Sequence, residues 1–151
     1  MSLSGKDVKA ALHILFANTL YPGTHVCYGD PGSFLPDTLI SIGDQRLEFE
    51  PGPMSTARPR EESVDTDVVF MCFVAGDVEA QKAATDAVYD LADVLGEHLR
   101  VKPNETLGGA CRSATITAGA LVEAKAKPRG GGVAGRLAAL SITVTTQARR
   151  P

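Results

Sequence analysis

The sequence predicts an α+β domain, and three observations carry that expectation. Two stretches, residues 6–20 and 78–100, repeat apolar residues at helical spacing. The segments between and after them are short runs rich in Val, Ile, Thr and Phe, punctuated by Gly, Pro and Asp. Finally, 151 residues with 44% hydrophobic content suit one domain with a real core over residues 1–151, but are too few for a doubly wound nucleotide-binding sheet.

The first helix is expected over residues 6–20, where Val8, Ala11, Leu12, Leu15, Phe16 and Thr19 make one stripe. Ser4 is placed to cap it, with Asp7 three residues on, and Pro22-Gly23 ends it. His13 falls off the stripe and reads as a solvated residue. Three β-prone runs follow, "THVCYGD", "DTLISIGD" and "QRLEFEP", and residues 39–42 and 47–49 look like a hairpin around "GDQ". Residues 50–63, "EPGPMSTARPREES", hold three prolines and several charges, so they predict an extended loop.

In "VDTDVVFMCFVAG" the residues Val64, Thr66, Val68, Phe70, Cys72 and Val74 share one face, while Met71 and Phe73 end the other, as in a strand that becomes buried on both faces. Asp77 is the expected cap of a helix over residues 78–100. Its inner stripe is Ala80, Ala84, Ala87, Val88, Leu91, Leu95 and His98 or Leu99; its outer row is Glu79, Lys82, Asp86, Asp90, Asp93 and Glu97. Such a row is a solvated face, or else a protein contact.

Two strands close the chain. Ala114, Ile116 and Ala118 oppose Ser113, Thr115 and Thr117; Leu140, Ile142 and Val144 oppose Ser141, Thr143 and Thr145. They flank "KPRGGGVAG", which makes a long β-hairpin. Gly130, Gly132 and Gly135 spell G-x-G-x-x-G, but a dinucleotide loop needs a helix directly after it, and here a strand follows.

The net charge of −3 gives no global attraction to nucleic acid or anionic membranes, and no apolar run approaches the roughly 18 residues of a membrane span. The N-terminal residues read as a mature helix rather than a signal peptide. Cys27, Cys72 and Cys111 are an odd number in strand-like runs, which predicts reduced, buried thiols. His25 and Cys27 share a strand face, but no second pair follows at metal-site spacing. No G-x-S-x-G or G-x-x-x-x-G-K-[ST] occurs, so no catalytic residue, metal or cofactor is expected. Aromatic content of 5% without Trp argues against a base-stacking surface. Lys125, Lys127, Arg129 and Arg136 form the one dense basic cluster, and Arg58 with Arg60 a second, weaker one.

The order of elements, with the strand "VDTDVVFMCFVAG", the helix "DVEAQKAATDAVYDLADVLGEHLR" and the closing "LSITVTTQ", resembles the tail terminator proteins of long-tailed bacteriophages, also called minor tail or tail completion proteins. The likeness spans about residues 6–147 and is one of length and element order, without a motif to carry over. It implies a mixed, mostly antiparallel sheet with two main helices on one side. It also implies a homo-hexameric ring that caps the tail tube, stops tail polymerisation and offers a surface for head-tail joining. The partners would be the tail tube protein, the head-completion protein and other copies of the chain. DNA would pass through the lumen without specific recognition, and the protein would reside in the virion tail after assembly in the host cytoplasm. In such a ring the acidic helix face (Asp86, Asp90, Asp93, Glu97) would meet the basic hairpin and loop (Arg58, Arg60, Lys125, Lys127, Arg129, Arg136) across subunits. Other head-tail connector or tail-tube components, a small cytoplasmic enzyme and a nucleic-acid-binding module are the competing expectations.

Overall fold

The computed structural model describes residues 4–31, 37–49, 60–126 and 134–150. In chain order the elements are α1 (Ser4–Leu15), continued by a π-helical turn over Phe16–Leu20, then β1 (His25–Tyr28), β2 (Thr38–Phe49), β3 (Arg60–Ala75), α2 (Val78–Arg100), a 3₁₀ turn (Asn104–Gly109), β4 (Ser113–Ala126) and β5 (Gly135–Arg150). The five strands form one mixed sheet in the order β1-β2-β3-β5-β4. β1 and β2 run parallel, and the other three pairs are antiparallel.

The periodicities explain why the helices lie on one face. Val8, Leu12 and Phe16 of the first helix join Ala84, Val88 and Leu95 of the second and Ile40, Ile42, Val68, Phe70, Leu140, Ile142 and Val144 of the sheet in a single buried cluster. The Phe16, Tyr21 and Phe70 rings meet at its centre, with centroids 5.3 to 6.5 Å apart. The predicted inner stripe of α2 is therefore its core face, and the outer row Glu79, Lys82, Asp86, Asp90, Asp93 and Glu97 is exposed throughout.

Several local expectations are corrected. Residues 39–42 and 47–49 are one strand, not a hairpin; "GD" at 43–44 forms a bulge between Ile42 and Gln45. The bulge is where α1 docks, because Lys9 Nζ donates to the Gly43 carbonyl (2.9 Å) and Gln45 Nε2 to that of Gly5 (3.0 Å). The loop expected over 50–63 already gives way to strand at Arg60; residues 50–59 lie outside the described residues. Ser4 lies inside α1 rather than capping it. Its N–H is satisfied from 58 residues away by the buried Glu62 carboxylate, at 3.1 and 3.2 Å. Asp77 holds the position before α2 but makes no side-chain cap; its carbonyl accepts from the Ala80 N–H, and its carboxylate turns to Arg136. Thr19, expected on the core stripe, is exposed, and His13 is half-buried and stacked on Tyr28 rather than solvated.

β3 is buried on the helix face only: Val64, Thr66, Val68, Phe70 and Cys72 are covered, while Val69, Met71 and Phe73 stay half-exposed. β5 alternates as expected. On β4 the expected alternation fails twice. A bulge at Thr117 shifts the register between Ile116 and Ala118, so those two residues face opposite sides, and the strand lies at the sheet edge with Ala114 its one buried residue. All three thiols are free; Cys72 and Cys111 are buried and Cys27 is half-buried.

Candidate interaction surface

The sheet face opposite the helices divides in two. At one end it is polar. Arg46 grips Asp67 with two bonds of 2.8 and 2.9 Å, Thr143 Oγ1 donates to the same carboxylate (3.2 Å), and Thr145 Oγ1 donates to Asp65 (2.7 Å). Thr117 and Thr145 hydroxyls lie 2.8 Å apart, and Gln147 Nε2 donates to Ser63 Oγ (3.2 Å). The Arg46 guanidinium beside it, then the Thr143 hydroxyl, holds the Asp67 carboxyl below its ordinary range. At the other end the face is apolar. Strand register lines up Met71, Ala139 and Val122 across three strands, with Phe73, Leu137 and Ala124 in the next row. Val122 is 62% exposed.

Beside this face runs the β4 edge, and on its helix side a shallow groove of about 410 Å³ separates α2 from β4. Tyr89, Asp93, Gly96, Ile116 and Leu121 line it. A second groove of about 380 Å³ lies between α1 and the Asn104–Gly109 turn, lined by Ala11, Ile14, His98 and Leu107. Leu107 there adopts a left-handed backbone, with φ of 50°.

The residues expected to form an interface are dispersed. Arg58, Lys127 and Arg129 lie outside the described residues, as does the side chain of Arg60. Lys125 is exposed on β4 directly across from Arg136. Arg136 is mostly covered and pairs with Asp77 of its own chain at 3.2 Å. On α2, Asp86 is paired with Lys82 and Glu97 with Arg100, all exposed, while Asp90 and Asp93 point to solvent. Among the described residues the acids of the outer row thus pair within α2, and the basic hairpin meets an acid at its base, where Arg136 holds Asp77. Further ties at this point, Gln81 Nε2 to the Leu137 carbonyl (3.2 Å) and Thr85 Oγ1 to Glu123 (2.8 Å), fix α2 over the hairpin.

The polar ladder was not singled out from the sequence. Its signal was present in the alternate placement of Asp65 and Asp67 and of Thr143 and Thr145, which forces each pair onto one strand face. The groove at Tyr89 and Ile116 carries no such signal, because it depends on how far α2 reaches over the sheet. Among the described residues no group of three or more His, Cys, Asp or Glu side chains is placed to hold a metal ion, and no helix is long and apolar enough to cross a membrane. Compared with known proteins, the chain matches no family model and no curated sequence.

Proposed function

We propose that this protein is a tail terminator of a long-tailed bacteriophage: a structural protein that forms a ring on the end of the tail tube, stops its growth and presents the surface for head-tail joining. The observation that carries it, beside the resemblance in element order, is the half-exposed sheet face with Met71, Phe73, Leu137 and Val122 set side by side and no helix over it among the described residues. A broad, flat, partly apolar surface favours contact with another protein rather than enclosure of a small molecule. The net charge of −3 suits a lumen through which DNA passes without being held.

The test is the mass of the purified protein over a wide concentration range and on isolated tail tubes, with particles imaged by negative stain. Closed rings, alone or capping tube ends, are expected. Tubes of indefinite length would instead identify a tube component, and a protein that neither closes into rings nor caps tubes would overturn the proposal.

A further inference from the structure

We infer that the β4 edge receives a second copy of this chain, joined head to tail through that copy's β1 edge and the adjoining rim of its α1. The inference rests on the ring function proposed above and specifies how its subunits meet.

β4 pairs with β5 on one side and with no strand on the other among the described residues. An edge of this kind offers a row of backbone donors and acceptors that another strand completes. Its 14 residues contain no proline, and after the bulge at Thr117 residues 118–126 form a regular ladder of mostly small, exposed side chains. The charges that would blunt it, Glu123 and Lys125, sit at the hairpin end, and Glu123 is occupied by Thr85.

Three features select a second copy and its β1. First, polarity: β1 is parallel to β2, and three antiparallel steps follow, so β1 and β4 run in opposite directions at opposite edges of the sheet. Placing the next copy beside the first without inverting it therefore sets its β1 antiparallel to β4, an ordinary pairing. Second, charge: the groove beside β4 carries Asp93 on its rim, with Asp90 exposed nearby on the same helix. At the β1 edge, Lys9 Nζ lies 5.1 Å over the Tyr28 ring, and His13 stacks on that ring at 5.1 Å. Because α1 and α2 cover the same sheet face, the join brings the Lys9 rim of one copy against the Asp93 rim of the next. Third, apolar surface: Tyr28 is 49% exposed, and Tyr89 and Ile116 are also open, so the same join covers all three. A heterologous contact of this kind makes a ring where its rotation closes and an open filament where it does not.

The experiment uses the full chain. Ala118→Lys with Ala120→Lys places charges on the exposed ladder, and Asp93→Lys and Lys9→Glu reverse the two rims; because Lys9 also holds the Gly43 carbonyl, the urea midpoint of Lys9→Glu is measured so that loss of folding and loss of assembly are separated. Each variant is checked for an unchanged circular dichroism spectrum, and its assembly is followed by mass and negative stain. At least tenfold weaker assembly is expected for the ladder double variant and for each rim reversal, with recovery when Asp93→Lys and Lys9→Glu are combined in one chain. In wild type, hydrogen exchange at residues 118–126 should slow as rings form, which tests the edge even where a variant fails to fold. Rings that survive the ladder charges, with unchanged exchange along β4, would overturn this inference and leave the ring function standing. A particle that stops at two copies would overturn the pairing with β1. Absence of assembly in wild type, alone and on tubes, would overturn both.

Discussion

Gly135 opens β5 where the strand passes Phe73 and Val74. A Cβ built on it would lie 2.6 Å from Phe73 Cζ and would also collide with the Val74 carbonyl oxygen. The glycine of the apparent dinucleotide motif is thus required by backbone packing. Gly135→Ala should lower stability by about 1–3 kcal/mol, whereas Gly119→Ala, whose Cβ meets its neighbours at an ordinary 3.5 Å, should be tolerated. Thermal midpoints of the two variants check this, and equal midpoints would sink it. Asp67 supplies a second residue-scale prediction. Its carboxyl is held low in the folded chain by Arg46 and then Thr143, so the stabilisation is present above the ordinary carboxylate value of about 4 and is lost as pH falls through the depressed folded value. Wild type should therefore lose more of its melting temperature between pH 5 and about pH 2 than Asp67→Asn does. Parallel curves for the two proteins would exclude the pair as a source of acid sensitivity. Burial also pushes the Cys111 thiol up to about 11, which keeps it protonated and inert near neutrality.

At the scale of elements, α1 is held by its apolar stripe and by contacts from distant strands. Phe16 is fully buried against Tyr21 and Phe70, at the point where the helix widens into its π turn. Phe16→Ala should cost about 3–5 kcal/mol, a large share of the roughly 5–15 kcal/mol a domain possesses. Ile14→Ala, two positions away and 59% exposed, should change stability by about 0.5 kcal/mol or less. Urea midpoints separate the two, and a small effect at Phe16 would mean that the helix is not anchored there. Both helices and their periods were legible in the sequence because an amphipathic helix states its own buried face. The β2 hairpin was misread because "GD" signals a tight turn and a bulge equally well; the choice was made by Lys9 and Gln45 reaching that point from and toward α1. On β4 the alternation of small and polar residues could not reveal that the strand is an edge, nor that one extra residue at Thr117 inverts its faces.

For the whole molecule, the decisive property is one sheet with helices on one side, an open face and two free edges among the described residues. The proposed ring is compatible with that asymmetry, since unlike edges at the two ends of a sheet allow a repeated head-to-tail contact, which gives a ring where its rotation closes. The closed-ring mass expected of the purified protein is its check at this scale. Arg136 is a poor probe of assembly, because reversing it would break its pair with Asp77 and confound folding with association. Among the described residues Lys125, exposed on β4, is the hairpin cation on which assembly and stability can be separated.

Local periodicity, turn chemistry and length determined by themselves the α+β class, the span of α2, the burial of β5 and the strand, in place of a helix, that starts at Gly135. Each depends on residues close in the chain. Strand order, the parallel β1, the Glu62 carboxylate at the start of α1, the Arg46–Asp67 ladder and the open β4 edge were decided only in the tertiary structure. They join residues far apart in sequence, and such pairings depend on which buried faces meet and not on any pattern within one segment.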